Sequence, residues 1–139
     1  MITREDNPDH WFLLGRERLE SADVLVKARG PCYSSVELLQ ESVERYLKGY
    51  LIGRGWKLER IHDLNRLLDL CIGYDGRIER FVPLAQSLTE QFWAQHYPGD
   101  DLSEVGWDYE DLRVLAGELI SIVGISGAQE PIPRLKTDR

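Results

Sequence analysis

Residues 40–64 read QESVERYLKGYLIGRGWKLERIHDL, and this stretch decides the fold. With Leu39 just ahead of it, Val43, Tyr46, Leu47, Tyr50 and Leu51 recur at the three- and four-residue spacing that gathers apolar side chains on one side of a helix. That side must be buried. Glu41, Glu44, Arg45 and Lys48 fall between them, and Glu41 to Arg45 and Glu44 to Lys48 have the acid-first order, four residues apart, that modestly supports a helix. Gly53 and Gly55 then bracket Arg54; two glycines so close lower helix propensity and permit the left-handed conformation that ends a helix. Past a basic turn, Asp63 stands at the start of another apolar run, where the helix dipole favours a carboxylate.

Working outward, Asn7-Pro8 reads as an N-cap followed by proline in the first helical turn, and Trp11, Leu14, Leu19, Ala22 and Val26 keep helical spacing until Gly30-Pro31. Ser34 or Ser35 can cap the second helix, which runs from about 33 to Gly53. A short third helix carries Leu64, Leu67, Leu68 and Cys71 before the turn at Gly73–Gly76. Ile78, Phe81, Val82, Ala85, Leu88 and Phe92 form a fourth, in which Pro83 either makes a kink or marks where the first turn begins. After Tyr97-Pro98-Gly99 a polar loop leads through Trp107 and Tyr109 to a last helix with Leu112, Leu115, Ala116, Leu119, Ile120 and Val123. No window alternates as a half-buried strand does, and no repeat is present. The expected fold is all-α, an antiparallel up-and-down bundle of four to five helices over 10–124, with an N-terminal segment 1–9 and a C-terminal tail 125–139.

The chain of 139 residues has the size of one domain, and chains of this length bury roughly two thirds of the surface exposed when unfolded. With 42% hydrophobic and 29% charged residues it has neither a disordered nor a membrane-like composition. No apolar run approaches the ~20 residues of a membrane span and no apolar signal region lies near Met1, so a cytoplasmic location is expected. Cys32 and Cys71 are far apart, and no Cys/His spacing resembles a zinc site; both are read as reduced, packed thiols, with no metal and no cofactor.

A net charge of -7 argues against nonspecific coating of nucleic acid, which needs a broad basic field. The charge is uneven. Arg45–Arg66 holds six basic residues against two acidic ones, whereas Glu90–Glu118 holds eight acidic residues and only Arg113 as a base. Such blocks are either solvated faces or, in the sharper reading, a basic rim able to attract a phosphate-bearing ligand.

The order of parts resembles the HEPN family, the "higher eukaryotes and prokaryotes nucleotide-binding" domains. It comprises a Trp-rich first helix, Tyr33-Ser34 opening the second, Gln40 to Leu51 matching a Gln-x-x-x-Glu-x-x-Leu-Lys signature, then His62-Asp63-Leu64 and His96-Tyr97-Pro98. The resemblance is to the stand-alone prokaryotic kind encoded beside a minimal nucleotidyltransferase. It implies a helical homodimer in a nucleotide- or RNA-related system, a toxin-antitoxin or defence pair among them.

Active ribonucleases of that family carry Arg followed four to six residues later by His. An imidazole can move a proton from a 2'-hydroxyl while a guanidinium stabilises the charged phosphoryl centre. Here His62 follows Arg54 too distantly and Arg60 too closely, and His96 has Thr89, Glu90 and Gln91 where the Arg belongs. Arg4 and His10 have the spacing but straddle Pro8 ahead of the first helix. The resemblance therefore implies a non-catalytic binding partner; the alternative is a metal-independent endoribonuclease using His62 or His96 in an atypical site.

Candidate nucleotide or RNA contacts are Glu44, Lys48, Arg54, Lys57, Arg60, His62 and Tyr97. Each has a plainer reading. Glu44 and Lys48 also fit an exposed ion pair, His62-Asp63 a helix cap, and His96-Tyr97 a favourable cation at a helix end instead of a stacking platform for a base. Trp56, Trp93 and Trp107 suit core edges or an interface, and Phe92 and Trp93, with parts of helices two and four, are the expected two-fold contact.

Overall fold

Asn7 accepts a hydrogen bond from the Asp9 amide and Pro8 occupies the first turn, so α1 (Pro8–Arg29) begins where its sequence predicts. The computed structural model describes residues 1–125 with Ile132 and Leu135. The remainder of the expected tail, 125–139, lies outside the described residues. After α1 come α2 (Tyr33–Ile52), α3 (Leu64–Ile72), a 3-10 turn (Gly76–Phe81), α4 (Val82–Ala94) and α5 (Tyr109–Val123). Among the described residues there is no strand, so the fold is an all-α helical bundle as expected.

Local chemistry sets the boundaries. Asp63 accepts from the amides of Asn65 and Arg66 and caps α3. Pro83 stands in the first turn of α4, where its missing N–H costs nothing, so the proline starts this helix and does not bend it. Two expectations change. The N-cap of α2 is Cys32; Ser35, three residues on, reaches back to accept from the Cys32 amide at 3.0 Å and donates to its carbonyl at 2.8 Å. Of the paired glycines, Gly53 stays helical and only Gly55 takes a positive φ, +87°.

Packing sets the directions. Ser42 donates to the Gly15 carbonyl at 2.7 Å, and Gly49 lies against Phe12, so α1 runs antiparallel to α2. The backbones approach closely there: a Cβ on Gly15 would stand 2.7 Å from the Tyr46 ring, and one on Gly49 would stand 2.6 Å from the Phe12 ring. Gln91 of α4 bonds to Asp108 at the start of α5 while Arg80, before α4, pairs with Glu118 near the end of α5, so these helices are also antiparallel.

A one-sided stripe understates α2. Thirteen of its 20 residues are buried, because α1, α3, α4 and α5 all pack on it, and polar Gln40, Ser42, Glu44 and Lys48 go inside with the leucines. Leu39, Leu47 and Leu51 are fully buried, each worth about 1.5–3 kcal/mol of transfer free energy. The cysteines are unpaired, and Cys71 is buried against the Leu47 carbonyl.

Candidate functional site

Gln40, Glu44 and Lys48 lie four residues apart along α2, on one face, and all three are buried. Lys48 Nζ donates to Glu44 Oε2 at 3.0 Å, with side chains only 5% and 7% exposed. This corrects the reading of the pair as solvent-exposed: the helix is covered on that face too. The ammonium also stands 5.6 Å from the centre of the Trp11 ring, within reach of its π face.

The Asp63 cap leaves the preceding His62 outside α3, free to turn back onto α2. His62 Nδ1 lies 3.0 Å from the same Glu44 oxygen. A carboxylate oxygen has no hydrogen to give, so Nδ1 is the donor, and Nε2 is the ring nitrogen turned away from Glu44. The ring itself is 80% exposed and lines a groove of about 550 Å3. Gln40, Asn65 and Thr89 supply other polar groups, and Phe92, Trp93 and His96 supply the wall. Ring centres of Phe92, Trp93 and His96 are 5.0–5.6 Å apart, and Tyr97 continues the cluster 5.0 Å beyond His96. Trp93 is 57% exposed and Tyr97 70% exposed, so this aromatic surface is open to a partner or ligand. Gln40 is buried to 5% and its carboxamide has no hydrogen-bond partner among the described residues.

Glu44, Lys48 and His62 thus come together, and His96 joins His62 across the groove; the other candidates stand apart. Arg54 lies over the Tyr50 ring, 3.7 Å from its centre, beside a second groove of about 410 Å3 shared with Pro8, Asp9 and Arg77. Burial pushes the Tyr50 hydroxyl up, and the Arg54 charge acts against that rise. Arg60 pairs with Glu5 at 2.6 Å and Lys57 is exposed on the same loop. Arg45 pairs with Glu41 and Arg66 with Glu59, so acids answer most of the basic stretch. The Arg4 amide donates to His10 Nδ1 at 2.9 Å while its guanidinium holds Asp6, placing both residues in the N-terminal turn.

The sequence reading missed Gln40, Asn65, Thr89 and Trp11. A signal existed for Gln40: polar residues repeating at 40, 44 and 48, in step with the apolar stripe, mark a buried polar row. Trp56 is half-buried against the core, whereas Trp93 and Trp107 are exposed. Among the described residues no three His, Cys, Asp or Glu side chains come together to hold a metal ion, and no helix is long and apolar enough to cross a membrane.

A helical bundle with a buried Glu–Lys pair behind an aromatic-walled groove defines a small all-helical domain. Comparison with models of protein families finds the HEPN domain over residues 9–126, and the chain belongs to that family. Comparisons with curated proteins and with solved structures give no match.

Proposed function

We propose that this HEPN domain is a homodimeric, non-catalytic binding protein that receives a nucleotide or an RNA base in the groove between α2, α3 and α4. The observation that carries this reading is that the Phe92, Trp93 and His96 wall shares one groove with the unpartnered carboxamide of Gln40. An aromatic face stacks on any base, while a buried carboxamide can meet a base edge. Partnership with a minimal nucleotidyltransferase, in a toxin-antitoxin or defence pair, follows from the resemblance in residue order. The exposed Trp93 face beside α2 is the proposed two-fold contact. Calorimetric titration of nucleoside monophosphates into the protein and its Trp93→Ala variant tests the groove; affinity unchanged by the substitution refutes it. Co-purification with an adjacently encoded nucleotidyltransferase tests the partnership.

His62 and His96 on one groove favour a second reading, a metal-independent endoribonuclease in which one imidazole takes a proton and the other gives one. Incubation with cellular RNA separates the two: cleavage abolished by His62→Ala or His96→Ala establishes the enzyme.

A further inference from the structure

The polar end of the groove has a definite donor and acceptor order. Gln40 offers one carbonyl acceptor and one amide donor, neither of them used within the described residues. One helical turn along, Glu44 anchors His62 through Nδ1 at 3.0 Å, and both Gln40 and His62 line the groove. In its neutral form His62 adds a second acceptor, Nε2, to that set. Both line one groove, so the Gln40 amide and the imidazole held on Glu44 can meet one ligand edge together.

Two acceptors and one donor fit an exocyclic amine next to a ring nitrogen. The two N–H bonds of the amine go to Gln40 Oε1 and His62 Nε2, and the ring nitrogen accepts from Gln40 Nε2. Adenine presents this pattern through N6 with N1 or N7, and cytosine through N4 with N3. In hypoxanthine and uracil an oxygen replaces the amine. The Gln40 amide can turn over to meet that oxygen, but the oxygen's lone pairs oppose the lone pair of His62 Nε2, and that contact is lost. We propose that the groove selects amino-bearing bases over their keto counterparts, with His62 as the specificity-determining residue, Glu44 as its positioning residue and Gln40 as a base-edge contact.

The inference rests on the nucleotide-binding reading, and one titration series separates their failures. Calorimetry of the full chain with AMP, IMP, CMP and UMP at pH 8 is expected to show AMP and CMP binding about tenfold tighter than IMP and UMP, the scale of one base-edge contact. Gln40→Leu should weaken the binding of all four. His62→Ala, at an exposed ring that the core does not need, should remove most of the difference between amino and keto bases. Equal affinities, or a preference for the keto bases, overturn the selectivity while leaving nucleotide binding in place. Binding by none of the four overturns both, and full discrimination retained in folded His62→Ala removes His62 from the role.

Discussion

Glu44 Oε2 lies 3.0 Å from His62 Nδ1 while it accepts from Lys48 Nζ at 3.0 Å, so one buried oxygen holds an exposed ring against the helix. Structure and site share this carboxylate. Glu44→Ala strands the buried Lys48 ammonium, and breaking a buried pair from one side costs about 3–5 kcal/mol. The Glu44→Leu, Lys48→Met double variant should cost much less than the two single changes summed, because no unpaired charge remains. Urea unfolding of the four proteins measures this; additive losses would show that the pair is not coupled.

Gly15→Ala and Gly49→Ala should each destabilise the protein by about 1–3 kcal/mol, the range for overpacking. The added methyl at 15 meets both the Tyr46 ring at 2.7 Å and the Ser42 carbonyl at 3.2 Å, and the one at 49 meets Phe12 at 2.6 Å and Trp11 Cβ at 3.0 Å. Gly76→Ala, where nothing lies within 4 Å of an added Cβ, is the control. Equal unfolding midpoints for all three would contradict the close α1–α2 approach.

Gln91 fastens the loop before α5. Its carbonyl accepts from the buried Gly106 amide at 2.9 Å, and its amide donates to Asp108 at 2.8 Å and Ser87 at 3.1 Å. Gln91→Leu leaves the Gly106 N–H unpaired, at a cost of about 1–3 kcal/mol. Hydrogen exchange at Gly106 should accelerate well before the α2 amides respond.

Burial pushes the Cys71 thiol up from 9.0 to about 12, and the Tyr109 hydroxyl up from 10.0 to about 12. Both groups hold their protons more tightly in the folded chain than in the unfolded one. Their stabilising contribution is therefore complete below pH 9 and is lost as the pH rises toward 12. Unfolding free energy measured across that window should fall, and Cys71→Ser should flatten the lower part of the fall. Iodoacetamide should label half-buried Cys32 in the native protein and reach Cys71 only on unfolding.

Periodicity and caps made most of the helices legible: Asn7, Asp63 and Gly30 stand where local chemistry requires them. Burial of Glu44 and Lys48 was not legible, since an i to i+4 ion pair looks the same in sequence whether water or another helix covers it. Nor was the groove. His62 and His96 are 34 positions apart, and only the turn after α2 and the packing of α4 bring them to one groove. The basic rim read from composition divides in the structure, because Glu5, Glu41, Glu44 and Glu59 answer its charges individually.

The most direct test of the nucleotide-binding groove is an amide and indole 1H–15N correlation spectrum recorded while AMP is added to the full chain. The account predicts shifts in the Gln40 side-chain amide, the Trp93 indole and the backbone of His62 and His96, with Tyr50, Arg54 and Arg77 unmoved. Shifts confined to Tyr50, Arg54 and Arg77, or no shifts at millimolar AMP, would contradict it.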